Sequence, residues 1–312
     1  MSKAAFIAGD WGTSNLRLAL CDGDGHTLET RKGPGAAAAR GRFAEVFDEL
    51  TQDWRATHGD LPAVLCGMVG SAFGWREAAY LPSPAELAEL ADALASPRAS
   101  VHIVPGMRCT NPLGAPDVMR GEETQLLGAL NGLAAGLDAG RQLVCLPGTH
   151  TKWVSVQGGL VQEFLTVPSG ELFALLCDHS VLVRDPAMPV THRAAEFERG
   201  LQAAARHPEI PLTHKLFQAR SLRLDQQLAP EGAASWTSGL LIGTDVAGAL
   251  QLFPELDARA PVYVIGAPHL TAAYSIALTR AGHQARAVDG EAAALAGLSW
   301  LHGELARRTA AT

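Results

Sequence analysis

The chain is predicted to fold as an α/β protein of two similar domains, and three observations carry the prediction. An apolar pattern at Phe6–Gly9 breaks into Asp10-Trp-Gly12-Thr13-Ser14-Asn15 and resumes as the alternation Leu16, Leu18, Leu20, so the chain leaves its first turn as a second strand. The same organisation returns at Leu143-Val-Cys-Leu-Pro-Gly148-Thr149-His150-Thr151-Lys152-Trp153. In each copy another turn follows, Asp22-Gly-Asp-Gly25 in the first and Gly158-Gly159 in the second, leading to a third strand. Elsewhere, amphipathic helical patterns alternate with continuous apolar runs, as expected of helices covering buried strands. Two strand–turn–strand–turn–strand units read as a duplication, with the two turns facing each other across a cleft.

The turn residues suit phosphate. Backbone N–H groups of a tight turn, with the hydroxyls of Thr13 and Ser14 and the amide of Asn15, can surround phosphate oxygens. A Walker loop would continue as a helix after Gly-Lys-Ser/Thr, and a dinucleotide fingerprint would show three spaced glycines opening a helix; neither pattern is present. Asp10, at the end of the first strand, suits a hydrated Mg²⁺, which takes one or two carboxylates plus water.

Composition narrows the partners. With 312 residues, 47% of them apolar and 18% charged, the chain is globular and long enough for two domains. A net charge of -7 without a basic run or an aromatic-basic stripe argues against nucleic acid. The five cysteines, Cys21, Cys66, Cys109, Cys145 and Cys177, are scattered and form no CxxC pair, which reads as reduced thiols in a cytoplasmic protein. No apolar run approaches the ~18 residues of a membrane span, and Met1-Ser-Lys leads directly into the first strand without signal-peptide architecture.

Along the chain, Phe43, Val46, Phe47, Leu50 and Trp54 predict an amphipathic helix, and Ala63–Val69 a buried strand ending in the glycine-rich loop Gly70-Ser71-Ala-Phe-Gly74-Trp75-Arg76. Such loops at the carboxyl ends of strands commonly hold ligands. Ser83-Pro84-Ala-Glu86 reads as a capping box opening a helix to about Ala95. Val101–Val104 is the next strand, and Arg108–Met119 reads as an irregular loop. A helix then begins around Arg120-Gly121-Glu122-Glu123. Its two acids have both a structural reading, favourable interaction with the helix dipole worth about 0.3–1 kcal/mol each, and a functional one, a carboxylate that takes a proton from a hydroxyl or orients water. Ser169-Gly-Glu171 opens another capped helix; His192–Arg206, Leu212–Leu222 and Glu231–Phe253 are helical, the last with breaks near Gly239 and Gly243. These helices are expected to form an inserted cap. Pro261–Ile265, Gly266-Ala267 and the residues after them read as strand, turn and helix, which lets backbone approach a flat ligand such as adenine. The final helix, from Glu291 through Trp300, is rich in small residues suited to close packing at a hinge.

In this order, Asp10-Trp-Gly-Thr-Ser-Asn, Gly148-Thr-His-Thr-Lys, Val264-Ile-Gly-Ala and the final Ala-rich helix resemble the five-part ATP-binding pattern of the acetate and sugar kinase, heat-shock ATPase and actin superfamily. Within it, DWGTSNLR, CGMVGSAFGW, MRGEETQLLGAL, LPGTHTKW, PSGELFALL and VIGAPHLTAAY resemble the 2-dehydro-3-deoxygalactonokinase family, from about Phe6 to Leu301. The resemblance implies two ribonuclease H-like domains with ATP in the cleft between them, the actin-like ATPase fold. The domains are expected at residues 1–138 and 139–312, with the last helix, 291–305, packing back at the hinge. It also implies transfer of the γ-phosphoryl of ATP, with Mg²⁺, to the 6-hydroxyl of 2-dehydro-3-deoxy-D-galactonate, in galactonate catabolism. Another sugar kinase, or a phosphoanhydride hydrolase of the same superfamily, is the alternative.

The roles that follow are expectations. Asp10 holds Mg²⁺ through water; Gly12, Thr13, Ser14 and Asn15 hold the β- and γ-phosphates; Gly148, Thr149, His150 and Thr151 hold phosphates from the other domain, with Lys152 adding a positive charge. Gly266 and Ala267 lie at the adenosine. Many kinases of the superfamily place an aspartate base near the second phosphate segment, where this chain has Gly-Thr-His-Thr. The resemblance therefore points to Glu122 or Glu123, as in related polyphosphate-cleaving enzymes, with Asp10 as the alternative. For the substrate carboxylate the candidates are the N–H groups of Gly70 and Ser71, with Trp75 beside them, and the forked guanidinium of Arg17 or Arg76. The expected partner is a small sugar acid, with self-association left open.

Overall fold

The computed structural model describes residues 3–132, 140–183, 193–254 and 260–310. The chain forms two compact units: Met1–Gly140 with Val156–Phe164 and Val288–Thr312, and Arg141–Ser155 with Leu165–Ala287. The expected boundary at residues 138 and 139 lies outside the described residues.

In the first unit, β1 (Ala4–Trp11), β2 (Asn15–Asp22) and β3 (Thr27–Pro34) form the expected antiparallel meander. Helix α1 (Phe43–His58) buries Phe43, Val46, Phe47 and Trp54. β4 (Ala63–Gly67), buried throughout, pairs parallel with β1. Strands β5 (Tyr80–Pro82), β6 (Ala85–Glu86), β7 (Ala95–Arg98), β8 (Val101–Ile103), β9 (Gly106–Thr110) and β10 (Pro116–Met119) lead to α2 (Glu122–Gly132). The main sheet has the order β3-β2-β1-β4-β8-β7, and a small one the order β10-β9-β5.

The chain continues through β11 (Arg141–Leu146), β12 (Thr151–Gln157) and β13 (Leu160–Val167). Then come α3 (Ser169–His179), α4 (Ala194–Ala205), α5 (Leu212–Lys215), α6 (Gln218–Leu224), α7 (Ala233–Leu252), β14 (Val262–Gly266), α8 (Pro268–Arg280), β15 (Ala285–Asp289) and α9 (Gly290–Ala310). The second large sheet has the order β15-β14-β11-β12-β13-β6.

Four local expectations are corrected. Residues 84–95 are not an α-helix: Ala85 and Glu86 pair with Val161 and Leu160 of the β12–β13 hairpin. The reciprocal cap joins Glu86 to Glu89 and heads a 3-10 segment, Leu87–Asp92, so strand pairing overrides the local helix signal. Residues 108–119 are not a loop but the β9–β10 hairpin, whose turn is tied by Asn111 Oδ1 accepting the N–H groups of Leu113 and Ala115. The stretch Leu212–Leu222 splits into α5 and α6. Helix α7 is unbroken, because its glycines serve packing: a Cβ on Gly239 would overlap the Phe197 carbonyl, and one on Gly243 would press on Ala204, both in α4. The predicted helix start at His192 lies outside the described residues; the helix itself runs from Ala194.

Helix α9 belongs to the first unit and crosses α2 at close range. A Cβ on Gly128 would overlap the Ala293 carbonyl, and one on Gly297 the Thr124 carbonyl. All five cysteines are free thiols, with Cys21, Cys66 and Cys145 buried. Among the described residues, no helix is long and apolar enough to cross a membrane.

Candidate active site

In the first unit the turn between β1 and β2 is held from behind. The N–H groups of Ala36 and Ala37 donate to the carbonyls of Gly12 (2.9 Å) and Thr13 (3.1 Å), and Trp11 Nε1 donates to Pro34 O at 3.1 Å. Gly35 makes this possible, since any Cβ there would overlap the backbone of Ser14 and Asn15. With the carbonyls engaged, Thr13, Ser14 and Asn15 are left exposed on a fixed loop. Asp10, the last residue but one of β1, lies beside this turn with its side chain about a third exposed (31%). Burial raises its pKa above the ordinary value; Arg17 opposes the rise and Glu291 adds to it. Arg17 lies 3.8 Å from Asp10 and 2.9 Å from Glu291, so its ion pairs are made beside the β1–β2 turn.

Carboxylates converge around Cys66. Its Cα is registered opposite Asp10 in the parallel β1–β4 pair, its Sγ lies 4.0 Å from Asp10 Oδ1, and Asp10, Glu123 and Glu122 together push its thiol pKa further above the level set by burial. The two glutamates at the start of α2 differ. Glu123 is fully buried, accepting from Gly121 N (2.6 Å) and from Thr124 Oγ1 (3.0 Å). Burial, with Glu122 adding to it, pushes its pKa up to about 8, so it is protonated at neutral pH. Glu122 is only half-buried and accepts from Arg120 N at 3.0 Å.

The glycine-rich loop after β4 turns back on itself. The Ser71 N–H donates to Met68 O (3.0 Å), so it is already engaged within the loop. Trp75 packs on the first unit's core with its ring 5.5 Å from Phe47, and Arg98 stacks on it. Arg76 is exposed. Arg120, which the spacing did not single out, lies against Gly70, donates to Ala78 O (2.8 Å) and stacks on Tyr80.

The second unit carries the other turn and a cavity of about 650 Å³. Gly148, Thr149, Ser169, Gly170, His269 and Tyr274 line its polar side, and Phe197, Leu241 and Ile242 its apolar side. Here too a later segment holds the turn: Glu171 N donates to Thr149 O (2.9 Å), and a Cβ on Gly170 would overlap the Gly148 carbonyl. Thr149 and His150 are exposed, with His150 Nε2 2.8 Å from Glu171. Thr151 and Lys152 are buried: the Thr151 hydroxyl meets Tyr274 OH at 3.0 Å, and Lys152 Nζ donates to Thr166 Oγ1 at 2.7 Å. Gly266 brings β14 close to Pro147, just before the turn, with room for a Cβ only 3.2 Å from Pro147 O. Neither Gly266 nor Ala267 lines the cavity; α8 contributes from His269 onward. Ser169 does not cap α3 as the motif suggested. Pro168 is the N-cap without a side-chain bond, and the Ser169 hydroxyl donates to Asp245.

The family model described as 2-keto-3-deoxy-galactonokinase matches residues 10–301, covering both turns and both units. The chain belongs to that family. The 2-dehydro-3-deoxygalactonokinase of Escherichia coli is 37% identical to it over 95% of this chain and 96% of its own length. The crystal structure described as a putative 2-dehydro-3-deoxygalactonokinase from Sinorhizobium meliloti superposes with a TM-score of 0.85 at 36% identity, over 96% of this chain and 99% of that one. The activator of 2-hydroxyisocaproyl-CoA dehydratase from Clostridium difficile, solved with ADPNP, aligns at a TM-score of 0.54 and 10% identity over 98% of this chain and 97% of that one, a likeness of fold. This galactonokinase-family chain thus has the actin-like ATPase fold expected from its motifs. Sequence reasoning gave no site role to Gly35, Cys66, Asp245 or Glu291; an isolated Gly after a strand, a lone thiol and lone acids in helices offer no pattern to assign one by.

Proposed function

We propose that the chain is a sugar-acid kinase that transfers the γ-phosphoryl of ATP to the 6-hydroxyl of 2-dehydro-3-deoxy-D-galactonate. The observation that carries this reading is the family match across residues 10–301, with both Gly-Thr turns inside it. Phosphoryl transfer asks the protein mainly to position groups and to offset charge, and the two turns are suited to that work. Thr13, Ser14 and Asn15 take β- and γ-phosphate oxygens, and the exposed Gly148–His150 backbone takes phosphate oxygens as well. The 650 Å³ cavity accepts the adenosine, its apolar side against the base.

Asp10 fits a magnesium ion: it is a single, partly exposed carboxylate beside a phosphate turn, which is the ligand share Mg²⁺ takes when phosphates and water supply the rest. When bound, that ion neutralises charge on the phosphates. Arg17 keeps the Asp10 carboxylate oriented. Glu122 is the base that takes the hydroxyl proton, since it is accessible at the start of α2. Glu123 is neutral and braces the first turn of α2 through Gly121 and Thr124.

The test is turnover. With Mg-ATP, the purified protein is expected to phosphorylate 2-dehydro-3-deoxygalactonate faster than its gluconate epimer, followed by ADP release and by identification of the 6-phosphate. Equal or reversed rates would overturn the stereochemical assignment, activity on neither would overturn the kinase reading, and ATP turnover without a sugar acid would favour the hydrolase.

A further inference from the structure

Beneath the second turn, a buried carboxylate that phosphoryl transfer does not use gathers donors from three elements. Asp245 of α7 accepts from Trp153 Nε1 of β12 (2.8 Å), from Ser169 Oγ at the start of α3 (2.5 Å) and from Tyr274 OH of α8 (2.7 Å). The tyrosine's single proton is given to Asp245, so the Thr151 hydroxyl donates to the tyrosine oxygen at 3.0 Å. The set thus runs from the first residue of β12, through the α8 wall of the cavity, to the helix whose Gly170 and Glu171 hold the turn's carbonyls.

We infer that Asp245 is the positioning residue of the nucleotide site, fixing α3, α8 and the Gly148–Thr149 turn to one another as a preformed cavity wall. The inference rests on the proposed placement of adenosine in that cavity. Two of the three donors, Ser169 and Tyr274, line the cavity, while Asp245 itself is not among the lining residues and acts through them. A carboxylate offers enough lone pairs for all three donors, and charge assistance makes such bonds short and directional. An amide in its place keeps the shape but presents an NH₂ group to donors, leaving at least one buried group unmatched. A lining held by one shared acceptor stays aligned before the ligand arrives, which lowers the ordering cost of binding.

The experiment uses the full chain with Asp245→Asn and Tyr274→Phe. Steady-state kinetics are run with ATP and 2-dehydro-3-deoxygalactonate varied in turn, calorimetric binding of Mg-ATP is measured without the sugar acid, and circular dichroism checks folding. For Asp245→Asn the KM for ATP and the calorimetric Kd are expected to rise about ten-fold or more. The sugar-acid KM and the kcat at saturating ATP are expected to stay within about two-fold. Tyr274→Phe, which removes one hydroxyl and keeps the ring, is expected to raise the ATP KM about three-fold and keeps the test alive if the asparagine variant does not fold. ATP parameters within two-fold of wild type in the folded variants, or ATP and sugar-acid KM rising together, would overturn the positioning role. A wild-type protein that fails to bind Mg-ATP would instead overturn the reading of the cavity, so the two failures are distinguishable.

Discussion

The two turns share one construction and differ in what stands beside them. In each, a strand meets Gly-Thr, a second strand leaves, and a later glycine lets another segment reach the turn's carbonyls: Gly35 with Ala36 and Ala37 in the first unit, Gly170 with Glu171 in the second. The strand before the first turn carries Asp10 as its last residue but one, a partly exposed carboxylate amid Arg17, Glu291 and the glutamates of α2. The strand before the second ends in Leu146, with Pro147 after it, and the carboxylate nearby, Asp245 of α7, is buried behind the cavity lining with three hydrogen-bond donors. On the assignments proposed above, the difference separates chemistry from recognition. A charge that must meet metal or substrate has to stay accessible, whereas one that shapes a wall is satisfied internally.

The strongest challenge to that division is Glu122→Gln against Asp245→Asn. The first is expected to lower kcat by about 10²–10⁴-fold with the ATP KM little changed, as for loss of a general base; equal kcat in wild type and variant would remove Glu122 from the chemistry. Asp10→Asn should abolish the magnesium dependence of turnover along with most of the activity, and an unaltered Mg²⁺ titration would break the assignment of Asp10. Gly35→Ala and Gly170→Ala sharpen the shared half of the comparison. Each places a methyl group into backbone and is expected to cost about 1–3 kcal/mol of stability with a raised ATP KM. A denaturation midpoint unchanged in both would show that the two turns are not held as described.

The last effect concerns Glu123 and is read in stability against pH, with no change expected in turnover. Its folded pKa of about 8 lies above the ordinary 4.5, so the folded state binds a proton that the unfolded chain has released. The stability this contributes is fully present below the unfolded pKa and is lost as pH rises toward 8, at up to about 1.4 kcal/mol per pH unit. Replacing Glu123 by Gln should flatten the decline in urea midpoint between pH 5 and pH 8, in a window about as wide as that shift. Parallel pH profiles for the two proteins would contradict the buried, neutral state of Glu123.

Much of this was legible in the residues. The alternation Leu16, Leu18, Leu20, the strand after Gly148-Thr149, the Phe43–Trp54 stripe and the buried strand from Ala63 appear in the structure because each pattern is local and agrees with its tertiary setting, although that last strand ends at Gly67 and passes into a 3-10 turn, Met68–Gly70, short of the expected Val69. The misreadings occurred where a distant partner decided. Ala85 and Glu86 became a strand because Val161 and Leu160 lie alongside, and Ser169, a plausible cap by type and position, turned its hydroxyl to Asp245, 76 residues away. The glycines of α7, read as breaks, are seats for α4.

By itself the sequence determined the two Gly-Thr turns, the strands that carry them, and the family to which such motifs belong, because those features are written in neighbouring residues. Only the tertiary structure decided what each side chain does there. It set Glu123 in the interior as a neutral brace and left Glu122 accessible. It turned Thr151 inward to Tyr274, drew Arg17 to Asp10, and lined the cavity with α8 from His269 onward. Burial and hydrogen-bond partners depend on residues far apart in the chain, and those two quantities set a group's charge and reach.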